Sequence, residues 1–168
     1  MARATKFTSL EVASLAATAL TGNPAFDGNV AVTGTLTQGS KLIPNTFFVT
    51  ANVPQGATAA DFDGLFFIAP IACKVVSVRE RHAVAGNDAG AVTLMLKKVP
   101  SGTAKAAGTD CLAAGIDLKA TADTNQSGTL HATAANYTLA AGDALGWVPT
   151  GTLTSLDGVT GSVELQKV

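Results

Sequence analysis

Charged side chains are scarce in this chain of 168 residues. Asp, Glu, Lys and Arg make up 14% of it, whereas ordinary soluble domains contain about 25%. The net charge is −1, and basic residues cluster only in Arg79-Glu80-Arg81 and Lys97-Lys98. Since a basic surface supplies most of the affinity for nucleic acid, we expect no nucleic-acid partner. No apolar run approaches the roughly 18 residues of a transmembrane helix, so we expect no membrane partner.

Residues that bind metals are few and scattered. Cys73 and Cys111 lie far apart in the sequence and form no metal-ligand pair. We expect both to be reduced and buried in a cytoplasmic setting, with a disulfide only if they face each other across the fold. His82 and His131 belong to no His-x-His motif, which predicts ordinary surface or interface histidines. The sequence therefore predicts no metal and no cofactor.

Patterns that indicate catalysis are missing as well. The chain has no Gly-x-Ser-x-Gly elbow for a serine nucleophile. Asp61-Phe62-Asp63-Gly64 has the start of a calcium loop, but Ala72 stands where an EF-hand carries its glutamate. We interpret this segment as an Asp-Gly turn, with a looser cation site as the alternative. We expect that the protein is not an enzyme.

What the chain does contain, over residues 46–168, is short β-strands separated by turns. The spacing of the turn signals predicts an all-β fold, a β-sandwich head in jelly-roll or Greek-key order. The candidate strands are Thr46–Val53, Leu65–Ile68, Lys74–Ala83, Val92–Val99, Ala144–Val148 and Val159–Lys167.

Alternation within these strands predicts which side chains face the core. In the strand at 74–83 we expect Val76, Val78 and Glu80 on one face and Val75, Ser77, Arg79 and Arg81 on the other. Between strands, Cys111–Ala114 is interpreted as a helical turn and Ile116–Leu118 as a short strand.

The aromatic side chains fit the same sandwich. Trp147 alternates with Leu145, which favours burial in the core over stacking on a sugar. Phe47-Phe48 and Phe66-Phe67 are adjacent pairs, so one ring of each should fill the core while the other covers a second surface.

The first 45 residues differ in character from the head. Residues 1–27 form a predicted arm, which orders on a partner surface or, alternatively, is a frayed terminus. In residues 28–45, Val30, Val32 and Leu36 fall on one side of an extended strand. One strand is not stable alone, and the sequence after it indicates a break at 38–41 and no return strand. We therefore expect the strand to pair with copies of itself in a homo-oligomer.

Several of these segments resemble known proteins. Phe66–Pro70, followed by 73–80, resembles a β-domain common in tailed-bacteriophage virion proteins, and the similarity continues through 86–94, 114–121, 128–130, 139–145 and 150–154. Gly28–Leu36 is similar to the repeat of phage fibres in which three chains wind into a β-prism. The resemblance implies a capsid decoration (cement) or head-fibre protein, a homotrimer made in the host cytoplasm that lies on the outer capsid surface.

Two functional hypotheses follow from the resemblance. In the first, the arm binds the major capsid protein and the strand at 28–36 forms a short trimeric β stem. The capsid-contact residues would be Phe7, Leu10, Val12 and Leu15, and the stem residues Val30, Val32 and Leu36. In the alternative, the protein is a fibre-type adhesin whose loops at 54–64, 84–91 and 119–130 bind a host-surface glycan or receptor.

Overall fold

The computed structural model of the chain describes residues 37–38, 41–42, 45–53 and 64–168. The chain divides into two units, Met1–Ile43 and Pro44–Val168, and we call the second the head domain. The strands of the head domain are β3 (Thr46–Asn52), β4 (Leu65–Ile68), β5 (Cys73–Arg81), β6 (Thr93–Val99), β7 (Thr109–Asp110), β8 (Ile116–Asp117), β9 (Gln126–Gly128), β10 (Thr138–Leu139), β11 (Ala144–Thr150) and β12 (Thr160–Lys167).

In the first unit, the described residues form a short antiparallel pair. Strand β1 (Thr37–Gln38) lies beside β2 (Lys41–Leu42), and Gln38 pairs with Lys41. Only Gly39 and Ser40 separate the paired residues, and Gly-Ser is a composition that favours two-residue hairpin loops. The prediction that no return strand follows is therefore wrong.

The strands of the head domain form two antiparallel sheets. The first has the order β10-β5-β12-β3, with β9 also paired to β5, and the second has the order β4-β11-β6-β7, with β8 also paired to β6. If β7 and β8 are counted as one strand, and β9 and β10 as another, the head domain has eight strands. Numbered in chain order, these lie in the order 6-3-8-1 in the first sheet and 2-7-4-5 in the second. This is the jelly-roll order. The predicted all-β sandwich is confirmed, and the structure selects the jelly roll from the two orders.

Two long strands bury alternate residues, as their sequences predict. In β6, Leu94 and Leu96 are fully buried, and in β12 Val163 and Leu165 are fully buried. These side chains meet in one core between the sheets. Burial of each such aliphatic side chain stabilises the fold by about 1.5–3 kcal/mol, so this pattern determines which face of each strand points inward.

Strand β5 departs from strict alternation. All three of Val75, Val78 and Glu80 are buried. Val75 is an odd number of residues from the other two, so strict alternation would place it on the opposite face. The pairing with β12 shifts register here: Glu164 pairs with Ser77 and Leu165 with Val75. Such a β-bulge inserts one extra residue and resets the alternation. The prediction that Val75 faces away from Val78 and Glu80 is therefore wrong.

The segment between β6 and β9 also differs from its prediction. Residues 111–114 form no helical turn; Leu112 instead makes an antiparallel bridge to Leu130, and Ala113 N–H donates to the carbonyl of Thr129 at 2.8 Å. A 3₁₀ helix occurs earlier, at Lys105–Ala107. Fully buried Cys111 and Leu112 explain the extended path, since both side chains join the core from this segment.

Trp147 joins the two sheets at the centre of the head domain. Its side chain is fully buried, and Phe66 stacks on it with ring centroids 5.3 Å apart and planes 14° apart. A Cβ atom added at Gly161 of the facing sheet would lie 2.3 Å from Cζ2 of Trp147. The indole therefore packs directly on the backbone of β12, and the predicted core burial of Trp147 is confirmed.

Substitution of Gly161 tests this contact. We expect Gly161→Ala to lower the free energy of unfolding by about 3 kcal/mol, because the new methyl group overlaps a ring that has no space to move. Gly90→Ala is the matched control, since a Cβ atom there meets nothing within 4 Å. Urea unfolding monitored by the fluorescence of Trp147 gives both values. Equal stability of the two variants would contradict the packing described here.

Candidate interaction surface and buried polar centre

Strand β3 is an open edge of the first sheet. Among the described residues its one strand partner is β12, and their register is continuous over seven residue pairs. The strand contains no charged residue and no proline. Monomeric proteins usually protect such an edge with lysine, proline or a bulge. The backbone of β3 is therefore suited to contact with another protein chain.

Strand β4 is the corresponding edge of the second sheet. Its register with β11 shifts, so that Leu145 pairs with Phe67 and Gly146 with Leu65, which leaves Phe66 as the extra residue. Phe66 and Phe67 both pack against the core as a result. The prediction that one ring of this pair turns away is wrong for that reason. Phe67 contacts Phe47 of β3 at 6.0 Å between centroids, so the two edges lie on the same side of the sandwich.

Large apolar side chains are exposed along these two edges. Phe48 and Ile68 are each 66% exposed, and Leu65 is 47% exposed. Phe47, by contrast, packs against the core, so the prediction of one inward and one outward ring is confirmed for the first pair. We call β3 and β4 with Phe48, Leu65 and Ile68 the edge surface. Its chemistry, an uncharged strand flanked by apolar groups, is typical of protein contacts rather than of small-molecule sites.

The predicted binding loops at 84–91 and 119–130 lie together at one end of the sandwich. The Nζ of Lys119 donates to the carbonyl oxygens of Asp88 and Gly90, and Gly86 N–H donates to the carbonyl of Leu118 at 2.9 Å. Asn87 N–H donates to Oγ of Ser155 at 3.0 Å, which joins a third loop to the other two. Of the loop at 54–64, the structure describes Gly64 alone.

His82 is buried beneath these loops, so the prediction of a surface or interface histidine is wrong. Its side chain and that of Glu80 are both fully buried, with Nδ1 of His82 2.8 Å from Oε1 of Glu80. Its Nε2 lies 3.1 Å from the carbonyl oxygen of Ala120 and must donate there, because a carbonyl only accepts. The backbone carbonyl of His82 also accepts from Asp123 N–H at 2.8 Å. His82 thus attaches the loop at 119–125 to β5.

The Glu80 carboxyl group is affected both by its burial and by its contact with His82. Burial is the largest influence on the pKa of Glu80 and raises it, although the hydrogen bond from His82 and its charge act in the opposite direction. A raised pKa favours a carboxylic acid that donates to Nδ1 of His82. The pair is then neutral, which suits a site without water contact. Sequence alternation predicted that Glu80 shares a face with Val78, but nothing in the sequence marked its partner.

The remaining candidate ligands do not assemble. Cys73 and Cys111 are buried free thiols, as predicted, and no disulfide joins them. Burial raises the pKa of Cys111 to about 12, and burial with the charge of Asp143 raises the pKa of Cys73. His131 accepts a hydrogen bond at Nδ1 from Thr133 N–H at 3.0 Å. No cluster of His, Cys, Asp and Glu within the described ranges could hold a metal ion.

The predicted arm and stem residues lie outside the part of the chain that the structure describes. These are Phe7, Leu10, Val12, Leu15, Val30, Val32 and Leu36, and Asp61 and Asp63 of the Asp-Gly segment lie outside it too. Their roles stay predictions. Where the structure does describe the chain, no helix has the length and apolar character to cross a membrane.

Comparisons with known proteins add one structural similarity. No protein-family model matches the chain, and no curated protein matches it. Among solved structures, it is similar to a chain described as the cyanophage Pam1 capsid asymmetric unit, with a TM-score of 0.44 and 12% sequence identity. The similarity covers 85% of this chain and 100% of that chain. A likeness at this level assigns neither a family nor a function.

The Glu80–His82 pair predicts a pH dependence of stability. Because folding raises the pKa of Glu80 above its ordinary value of 4.5, the contribution of Glu80 to stability is fully present below pH 4.5 and is lost as pH rises through the folded pKa. Glu80→Gln cannot ionise, and its amide can still donate to Nδ1 of His82. As pH rises from 4.5, we therefore expect the free energy of unfolding of the Gln variant to increase relative to that of the unaltered chain.

Urea unfolding of both proteins across this pH range measures the difference. Glu80→Ala is the comparison variant, since it leaves His82 without its partner and should cost about 1–3 kcal/mol. A constant difference between the Gln variant and the unaltered chain at every pH would contradict the raised pKa.

Proposed function

We propose that this chain is a structural protein of a tailed-bacteriophage virion, a homotrimeric decoration (cement) or head-fibre protein on the outer surface of the capsid. The edge surface carries the proposal: β3 is an uncharged strand whose one strand partner among the described residues is β12, and Phe48 and Ile68 are largely exposed at this edge. Such a surface favours contact with a second protein chain. The resemblance of the head segments to virion β-domains and of Gly28–Leu36 to a phage-fibre repeat supports the virion setting. The proposed role is structural rather than catalytic.

The mechanism of stabilisation would be mass action. A protein that binds the assembled shell, and not its dissociated subunits, shifts the equilibrium toward the shell. Three arms on one trimer would bind together, because the second and third arms act at a high effective concentration once the first is bound. In this proposal Phe7, Leu10, Val12 and Leu15 contact the major capsid protein.

A trimer predicts a solution mass of about 50 kDa, three times the chain mass of 16.8 kDa. We expect Val30→Asp combined with Val32→Asp to lower this mass, because the stem would gather six carboxylates near one axis. Phe48→Asp should also lower it if the edge surface joins the subunits. Light scattering after size exclusion measures the mass.

Matched controls separate these effects from general damage. Thr33→Asp adds a charge to the opposite side of the stem strand, and Val84→Asp adds one at an apolar side chain that is 47% exposed away from the edge surface. Both controls should retain the mass of the unaltered chain. A mass of 16.8 kDa for the unaltered chain would contradict the trimer.

The arm predicts binding to capsid shells. With shells purified from phage that lack this chain, the unaltered protein should co-sediment, and Leu10→Asp combined with Leu15→Asp should reduce binding at least tenfold. The expected reason is that burying two carboxylates in an apolar contact costs more than about 1.4 kcal/mol, which is tenfold in affinity. Ser14→Asp is the control in the same segment. Undiminished binding by the double variant would refute the proposed arm.

The adhesin hypothesis retains one supporting observation. Lys119 and Ser155 hold the loops at 84–91, 119–130 and 151–158 side by side, so they form one continuous end of the head domain. A head-fibre protein could present this end to a host-surface glycan or receptor. A glycan array probed with the full chain tests the idea. Lys119→Ala removes the contacts between the loops at 84–91 and 119–130, so it should weaken any glycan binding. Undiminished binding by this variant would show that the loops are not the binding surface.

A further inference from the structure

Five buried side-chain atoms among the described residues make no hydrogen bond: Oε2 of Glu80, Oδ2 of Asp88, Oδ1 of Asp110, Nε2 of Gln126 and Nε1 of Trp147. Those of Glu80, Gln126 and Trp147 belong to strands β5, β9 and β11. Glu80 and Trp147 are almost wholly buried, at 1% and 0% exposure. An unpaired polar group in such surroundings is costly, and native structures usually satisfy it with protein or ordered water.

Strand register brings these three side chains together. Glu80 of β5 pairs with Gln126 of β9 on one side and with Gly161 of β12 on the other. Paired residues of neighbouring strands point to the same face, so Gln126 and Glu80 are directly adjacent. Across the core, Nε1 of Trp147 lies 3.0 Å from where a Cβ atom of Gly161 would be. The indole N–H is therefore next to the strand position beside Glu80.

The donors and the acceptor do not reach one another directly. Oε2, Nε2 and Nε1 all lack a hydrogen-bond partner, so none of them is paired with another of the three. The first oxygen of the Glu80 carboxyl is held by Nδ1 of His82 at 2.8 Å, which fixes the direction of Oε2. Polar groups separated by slightly more than a direct hydrogen bond are commonly bridged by water.

We infer that the jelly roll binds one internal water molecule between Trp147, Gln126 and Glu80. The water accepts from Nε1–H of Trp147 and from the amide of Gln126, and it donates to Oε2 of Glu80. Three hydrogen bonds are the usual number for a buried water. A cation is disfavoured by the two N–H donors, and an anion by the neighbouring carboxyl group.

The water completes a chain of hydrogen bonds from one sheet to the loops. The chain runs from the indole of Trp147 through the water to Glu80, then through His82 to the carbonyl oxygen of Ala120. It therefore connects the second sheet to the loop at 119–125. Gly161 allows this arrangement, because any side chain there would displace the indole.

A crystal structure of the full chain at a resolution that shows ordered waters tests the inference. We expect a density peak within hydrogen-bond distance of all three atoms. In solution, the indole N–H of Trp147, which is the only tryptophan in the chain, should show a nuclear Overhauser effect to a long-lived water. A direct hydrogen bond from Nε1 to a protein group, with no water beside it, would overturn the inference.

A variant pair gives a second measurement. Gln126→Met keeps the side-chain length and removes the amide, so we expect the indole N–H to exchange with solvent about fivefold faster, the loss of one hydrogen bond. Gln166→Met is the control, because the Gln166 amide donates to Oδ1 of Asn45 at 3.4 Å at the surface, away from Trp147. Equal exchange rates in the two variants would count against the water site.

Discussion

The contact between the indole of Trp147 and the backbone at Gly161 is the constraint on which the head domain depends. It sets how closely the two sheets approach, because the ring lies where a side chain of β12 would otherwise be. Phe66 stacks on a face of the ring, and this requires the bulge that turns Phe66 inward from β4. The position of the edge strands follows from that packing, since Phe67 then meets Phe47 across the open side of the sandwich.

Regular strands were predictable from sequence, whereas the places where they bend were not. Leu94 and Leu96 of β6 alternate with Thr93, Met95 and Lys97, and full burial of the two leucines follows that alternation. In β5 the bulge near Val76 reverses the alternation, and a bulge depends on the partner strand rather than on local composition. The same limit applies to His82: its partner is two residues away, but the loop that buries it comes from residues 118–123, far along the chain.

Only part of the edge surface was predictable from the sequence. Adjacent phenylalanines at 47 and 48 indicated one inward and one outward ring, and Phe48 is exposed on an edge strand. Sequence alone could not show that β3 is an edge, because edge position follows from the order of strands in the sheet. The surroundings of Glu80 were equally hidden, since Gln126 pairs with it from β9, and Trp147 of β11 packs on Gly161, its neighbour in β12. The edge position of β3 and the surroundings of Glu80 both depend on which strands pair and in which register, and composition does not reveal that.

The place of β12 in the first sheet has a consequence for synthesis. This strand pairs with both β3 and β5, yet it follows every other strand of the head domain in the chain. A ribosome-bound chain therefore holds β3 and β5 apart until residues 160–167 have emerged, and contacts between distant residues of this kind form slowly. The first sheet cannot be completed before β12 is available, so the edges of β3 and β5 that face it stay unpaired until then, a condition that favours association between unfinished chains.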